Sequence, residues 1–322
     1  MRVLVTGGAG FIGSRFSKRL LDDGHEVVAL DNFDPFYDPA IKEHNVQALK
    51  THGGDRYTLI RGDILNPASL DAAWAQGPFD RVVHLAAKAG VRPSLMQPAD
   101  YLSVNVEGLL NVLMYCQERG PKKLVVASSS SVYGNSARGA LREDMSADEP
   151  LSPYAASKRA GELYCHTWHH LHGLEISTLR FFTVYGPGQR PEMAIHLFTR
   201  LISEGATIQM YGDGTTSRDY TYIDDIVDGV ARAMERVSGY RVYNLGGGRP
   251  VELRRLIHVI GDVIGVTPQI EQLPMQPGDV DHTEASVERA ERELGFRVTT
   301  EIEDGVVAFV DWYSALRSDL GS

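Results

Sequence analysis

The sequence has two cysteines in 322 residues, Cys116 and Cys165. Two are too few for a disulfide framework and lack the paired spacing of a zinc site, which fits a reducing compartment. No apolar run reaches 18 residues, and Met1 and Arg2 lead straight into an apolar strand with no signal-type hydrophobic region or small-residue cleavage site. A spanning helix needs about 20 apolar residues, so the expectation is a cytoplasmic protein with no membrane partner. Positive charge is also short: 32 Lys and Arg against 42 Asp and Glu give a formal net charge of −10. That balance opposes adhesion to nucleic acid or an anionic membrane, and an anionic ligand then needs a local basic pocket. Tracts and repeats are missing too, because the 32 Gly and 15 Pro are scattered, which excludes collagen, a coiled-coil rod and a disordered chain. What remains is a globular composition, 43 % hydrophobic and 23 % charged, long enough for one large α/β unit or two domains.

From residue 1 to about residue 180, short apolar runs alternate with longer helix-compatible stretches, the pattern of βαβ units around a parallel sheet. Six strands are predicted, at 2–6, 26–31, 57–63, 80–85, 122–128 and 174–180. Helices are predicted at 101–119, where Val104, Leu109, Val112 and Leu113 recur at helical spacing, and at 153–172. Beyond Arg180 the alternation breaks at Gly186-Pro187, and a lid-like region follows with a helix over 192–204 and a loop at 212–214. A further strand is expected at 242–245, a turn at 246–248, and helices at 251–264 and 284–294. The fold class is therefore α/β, a Rossmann-type doubly wound parallel sheet with a smaller mixed α+β C-terminal domain. The cofactor domain is expected over 1–182, joined by about 220–246, and the substrate domain over 183–219 and 247–322.

The first strand runs into Thr6-Gly7-Gly8-Ala9-Gly10-Phe11-Ile12-Gly13, and apolar residues resume at helical spacing with Phe16 and Leu20. A pyrophosphate needs close approach to bare backbone N–H groups at a helix N-terminus, and side chains at Gly7, Gly10 or Gly13 would obstruct it. The spacing is Gly-x-x-Gly-x-x-Gly, a variant of the common fingerprint, and a tight turn with no ligand is the competing reading. Asp31 favours the ligand, because it ends the second strand 18 residues past Gly13. A carboxylate there accepts from the ribose hydroxyls and repels a 2′-phosphate, so the cofactor reads as NAD rather than NADP. Asp63, at the end of the third strand, either accepts from the adenine amine or closes a turn.

Tyr154 and Lys158 are four apart on the helix that starts near Pro153, so they share one face. The 14 Tyr and seven Lys of the chain would give about 0.3 such pairs by chance, so context has to decide. That context is the serine run 128–131, which closes the fifth strand on the side where ligands of doubly wound sheets bind. A nearby ammonium and a cationic nicotinamide both favour phenolate, so Tyr154 can take a hydroxyl proton, a serine can share the proton path, and Lys158 can hold the nicotinamide ribose.

TGGAGFIG, the aspartate after the second strand, HLAA at 84–87, SSSSVYG at 128–134, YAASK at 154–158 and RDYTYIDD at 218–225 together resemble the extended short-chain dehydrogenase/reductase family, and within it the nucleotide-sugar epimerases. The resemblance spans nearly the whole chain. It implies a resident NAD that is regenerated in each cycle, oxidation at carbon 4, rotation of the keto-sugar about its UDP tether, and return of hydride to the opposite face. It implies a catalytic set of Ser129, Tyr154 and Lys158, with Ser130 beside the substrate. It also places Phe11, Ile12, Asn32, Ile64, Leu85, Ala86, Ala87, Lys88 and Asn105 at the cofactor and Arg218 on the substrate diphosphate. Met210 and Tyr211 resemble the uracil-binding segment, and Asp279 in PGD resembles a ribose-binding carboxylate. Gln276 stands where many relatives carry an arginine for the diphosphate. A homodimer through the 101–119 and 153–172 helices is the family expectation.

The stretch from Arg180 to Pro191 has Thr183 where hexose epimerases carry Asn, and it places Arg190 just past the turn. It is similar to that of UDP-glucuronate 4-epimerases, in which the corresponding arginine faces the sugar carboxylate, a match to the planar guanidinium. Arg92 is a second cationic candidate, with a structural role as its alternative. The acidic pair of sugar dehydratases and the Glu of UDP-glucuronate decarboxylases are replaced by Ser130 and Ser131, which removes the acid and base a dehydration needs. The function implied is conversion of UDP-glucuronate to UDP-galacturonate. The alternatives are a UDP-glucose/UDP-galactose 4-epimerase, a UDP-glucuronate decarboxylase, and a nucleotide-sensing protein without turnover. His166 and His170 have metal-compatible spacing but no HExxH context, and no metal is expected. The serines do not lie in a Gly-x-Ser-x-Gly elbow, which excludes a Ser-His-Asp hydrolase.

Overall fold

A computed structural model describes residues 1–135, 139–275 and 282–320. In chain order its strands are β1 Arg2–Thr6, β2 Glu26–Asp31, β3 Tyr57–Arg61, β4 Arg81–His84, β5 Lys123–Ser129, β6 Glu175–Phe181, β7 Thr183–Tyr185, β8 Ile208–Tyr211, β9 Ser217–Tyr222, β10 Tyr240–Leu245, β11 Pro250–Glu252 and β12 Ile270–Leu273. The helices are α1 Phe11–Asp22, α2 Pro39–Gly53, α3 Pro67–Trp74, α4 Val91–Met96, α5 Pro98–Leu102, α6 Gly108–Arg119, α7 Pro153–His172, α8 Ala194–Ser203, α9 Ile223–Glu235, α10 Leu253–Ile264, α11 Glu288–Leu294 and α12 Ile302–Leu320.

Seven strands form one sheet in the order β10-β6-β5-β4-β1-β2-β3, and every pairing in it is parallel. Apolar runs were needed because helices cover both faces. Along β1, Val3 and Val5 enter one core cluster and Leu4 the other, so alternate side chains feed the two sides of the sheet. The order reverses between β1 and β4, which opens a crevice beyond the carboxyl ends of the strands.

The remaining strands make two small sheets, β11-β9-β7 and β12-β8. They are tied to the large sheet by buried carboxylates. Asp219 of β9 is fully buried and accepts from the backbone N–H groups of Gly247, Gly248 and Ala285 and from the Thr221 hydroxyl. Asp225 of α9 accepts from Thr299 and Thr300, fixing the approach to α12. Gly246–248 is thus a turn wrapped around a carboxylate. Among the described residues, no helix is long and apolar enough to cross a membrane.

Three expectations shift. The 101–119 stretch is α5, a π-helical turn over Ser103–Glu107 and α6; within that turn, Asn105 is drawn to the backbone of Lys88, accepting from its N–H and donating to its carbonyl. Residues 250–252 form β11 against β9 before α10 begins. The 284–294 helix begins only at Glu288, because Ala285 is held in a bridge to Leu141.

Candidate active site

The crevice at the topological switch is a cleft of about 550 Å³. Its floor begins at the glycine loop between β1 and α1. Gly7 has φ +71°, and a Cβ on it would lie 2.8 Å from the Ala86 nitrogen, while a Cβ on Gly13 would lie 2.0 Å from the Gly7 carbonyl. Side chains at either place would force β1, the 85–87 segment and α1 apart. No side chain caps α1 at Gly10, so its first N–H groups face the cleft without intrahelical acceptors. That donor set fits a pyrophosphate.

At the next station Asp31 is buried and accepts from Ala9 N at 3.1 Å, Phe33 N at 2.9 Å and Lys42 Nζ at 3.1 Å. An ionised carboxylate offers about four acceptor sites, so one is left for a ribose hydroxyl. Asn32 donates to Asp63 at 2.8 Å, joining the ends of β2 and β3 where an adenine would lie. The residues present thus fit a dinucleotide from its adenosine end to the helix N-terminus.

The far wall carries the serines and α7. Ser152 caps α7 by accepting from Ala155 N, with Pro153 in the first turn. This aims Tyr154 and Lys158 at the end of β5. Tyr154 and Ser129 line the cleft together, and Ser129 Oγ accepts from Ser131 Oγ at 2.9 Å and Ser131 N at 3.2 Å. Burial raises the Tyr154 phenol above its ordinary value, while the Ser129 hydroxyl and the charge of Arg190 pull it down. Lys158 is buried, donates to the Ala127 carbonyl at 2.9 Å, and is pushed down to about 8 by desolvation. Beneath it, burial forces His84 down to about 3, so the ring is neutral, and it bonds Thr6 Oγ1 at 2.8 Å.

Arg190 enters from the β7–α8 loop. Its Nε lies 3.2 Å from Glu192 and its guanidinium 5.4 Å from the centre of the Phe36 ring. Thr183, Ser130 and Arg218 line the same cleft, as do Phe11, Ile12, Ile64, Leu85, Ala86, Ala87 and Lys88. Asn105 stands behind Lys88, accepting from its N–H at 2.8 Å and donating to Ser157 at 2.9 Å. Arg92 of α4, buried Met210 and half-buried Tyr211 of β8 are not among the lining residues, and Asp279 and Gln276 fall outside the described residues. Lys42, Phe36, Tyr37 and Thr283, which no local sequence pattern marks, also line the cleft. Two histidines of α7 have structural partners: His169 bonds the Leu174 carbonyl, and His166 and His169 pack on Tyr240.

Residues 3–246 match the NAD dependent epimerase/dehydratase family. The chain belongs to that family. Among its relatives, a UDP-glucuronate 4-epimerase of Thermodesulfobacterium geofontis (strain OPF15) is 41 % identical over 310 residues, covering 96 % of this chain and 95 % of the relative. A probable UDP-glucuronate 4-epimerase of Rhizobium meliloti (strain 1021) is 39 % identical over 97 % of both chains. A crystal structure of the UDP-glucuronic acid 4-epimerase from Bacillus cereus, in complex with UDP-glucuronic acid and NAD, superposes with a TM-score of 0.91 at 36 % identity, covering 98 % of this chain and all of the other. Membership explains why the glycine loop, Asp31 and the Ser-Tyr-Lys set share one crevice of this epimerase fold.

Proposed function

We propose that this protein is an NAD-dependent UDP-sugar 4-epimerase whose substrate is UDP-glucuronate and whose product is UDP-galacturonate. The observation that carries the uronate preference is Arg190, a guanidinium that lines the same cleft as Ser129 and Tyr154. The N-terminus of α1, Asp31, Asp63 and the 85–88 segment would hold NAD, which when bound would supply the acceptor and donor of the hydride. Tyr154 takes the proton of the carbon-4 hydroxyl and gives it back, Ser129 shares that proton, and the Lys158 ammonium favours the phenolate. Arg190 pairs with the sugar carboxylate and Thr183 flanks it, an arrangement that holds the carboxylate while carbon 4 is a ketone. Arg218, which lines the cleft, meets the diphosphate.

We assign 1–182 with 220–246 to the cofactor and 183–219 with 247–322 to the nucleotide sugar. We place the protein in the cytoplasm on its two buried cysteines, both free thiols. The working form is a homodimer, because α6 and α7 pack side by side and leave Met114, Leu163 and Leu171 exposed, the last two at 54 % and 62 %. Light scattering tests it, and a monomer refutes it.

The deciding experiment incubates the purified protein separately with UDP-glucuronate and UDP-glucose and resolves the products by NMR. UDP-galacturonate as the favoured product supports the assignment. Faster UDP-galactose formation makes the enzyme a hexose epimerase, a UDP-pentose with CO₂ makes it a decarboxylase, and no turnover leaves a binding protein.

A further inference from the structure

Glu162 lies one helical turn beyond Lys158 on α7 and is 1 % exposed. Its carboxylate accepts from Ser128 Oγ at 2.7 Å, Arg180 Nε at 2.8 Å, Arg180 Nη2 at 2.7 Å and Arg159 Nη1 at 3.0 Å. Ser128 and Arg180 are register partners on β5 and β6, so one buried carboxylate clamps the two strands that end at the serines. Ser128 stands between two working groups. The Ala127 carbonyl before it accepts from Lys158, and Ser129 after it lines the cleft with Tyr154. Arg180 lies 4.6 Å from the centre of the Tyr133 ring, in the turn that follows Ser129. Tyr133 donates to Asn244 at 2.7 Å, and Asn244 donates to the carbonyls of Leu141 and Ser286. A line of polar contacts therefore runs from α7 through β6 to the segment that bridges Leu141 and Ala285.

Buried ion pairs seldom add net stability, since apolar residues of similar volume serve as well or better. Tight placement is the better account of this one. We propose that Glu162, clamped by Ser128 and Arg180, is a positioning residue for the 4-epimerase reaction: it holds Ser129 and the Lys158 ammonium in register with Tyr154, through Ser128 and through its own charge. Burial disfavours ionisation of Glu162, but Arg180, Ser128 and Arg159 outweigh it and hold the carboxyl below its ordinary value. Its charge then opposes the desolvation that depresses Lys158. The other titratable groups facing Lys158 are Tyr154 and Cys165 on α7 and neutral His84 on β4, with Arg180 on β6 behind Glu162. Neither Cys165 nor His84 supplies a second negative charge at neutral pH.

Two variants test this, and only the kinetic arm rests on the UDP-glucuronate reading. Ser128→Ala leaves the Glu162–Arg180 pair intact; kcat falls about tenfold with KM within about twofold, because the loss is of placement rather than binding, and Ser128→Thr restores most of it. In Glu162→Gln, with lysine ¹³C-labelled at Cε and followed by NMR, the Lys158 titration moves about one unit to lower pH as the compensating charge is lost, and the alkaline limb of kcat moves with it. Folded variants with the parent kcat and an unmoved Lys158 titration overturn the proposal, as does a Ser128→Ala loss that Ser128→Thr fails to restore. If Glu162→Gln does not fold, the Ser128 pair alone decides. A parent that turns over no UDP-sugar refutes the functional reading instead, and the titration still tests the clamp.

Discussion

Replacing Arg190 by Ala separates the carboxylate of the substrate from the rest of the sugar nucleotide. In the structure the guanidinium is parked between Glu192 and the Phe36 ring. The Glu192 side chain is 43 % exposed, so giving up that pair costs little, about 0–1 kcal/mol. A bidentate pair with a substrate carboxylate inside the cleft makes two charge-assisted bonds at about 1.5–3 kcal/mol each. After the exchange, a net of about 3 kcal/mol remains, which at 1.36 kcal/mol per factor of ten is about 150-fold in kcat/KM. Arg190 also lowers the proton affinity of Tyr154, so its loss leaves less of the phenolate for every substrate. That part cancels in a ratio. The assay is therefore kcat/KM for UDP-glucuronate divided by kcat/KM for UDP-glucose, in parent and in Arg190→Ala, from product formation by NMR. The ratio should fall about 100-fold, within the scatter of such energies. An equal loss on both substrates refutes the carboxylate assignment.

Asp219→Ala strands three backbone N–H donors around a fully buried site; the loss should be on the order of 4 kcal/mol, read as a lower urea midpoint, and less than 1 kcal/mol would show that the 246–248 turn does not depend on it. Asp31→Ser removes a charge that repels a 2′-phosphate and frees the Lys42 ammonium beside it; the NADP-to-NAD affinity ratio should rise at least about tenfold by calorimetry, and an unchanged ratio counts against the ribose assignment. Lys158 is pushed down to about 8 from its ordinary 10.5, so below pH 8 folding buries a charge that the unfolded chain keeps in water. This penalty is full below pH 8 and fades as pH rises toward 10.5, where both states are neutral. Lys158→Met should therefore be inactive yet more stable at pH 7, by up to about 3 kcal/mol less the bond to Ala127, with the advantage shrinking by pH 10; a variant less stable than the parent at pH 7 would contradict the buried-charge account.

The large sheet was legible chiefly through strands that are buried on both faces and write an apolar run, as β1 and β2 do, whereas β3 and β10 at its edges are only partly buried. The short strands of the smaller sheets were not, since β9 alternates with polar residues that are themselves buried, Ser217, Asp219 and Thr221. Val251 looked like the start of a helix because α10 follows it without a break, and only pairing with Arg218 makes it a strand. The site divides along the same line. The glycine loop, Asp31, Tyr154 and Lys158 are read from fixed spacing within one turn or one strand end. Lys42, Thr283 and Glu162 reach the cleft or its support through packing between distant segments, and no local pattern announces that. Asn105 was placed by resemblance; the structure supplies its reason, a side chain that bridges Lys88 and Ser157 at the cost of a regular helix.

A chain with net charge −10 that takes two anionic ligands has to keep its cleft cations in place before the ligands arrive. It does so by pairing them: Lys42 with Asp31, Lys88 with Asp34 and Asp100, Arg190 with Glu192. The pyrophosphate end is served instead by helix N–H groups, which carry partial charge and need no counterion. These three pairs differ in what a ligand can undo. Taking Lys42 away would leave Asp31, 4 % exposed, as an uncompensated buried charge. Taking Arg190 away releases Glu192 into water. Lys88 and Arg190 both have partly exposed carboxylate partners, so a ligand anion can replace either without stranding a buried ion; the planar guanidinium is the one that suits a bidentate carboxylate, which is the physical reason for assigning substrate choice to Arg190 and cofactor choice to Asp31.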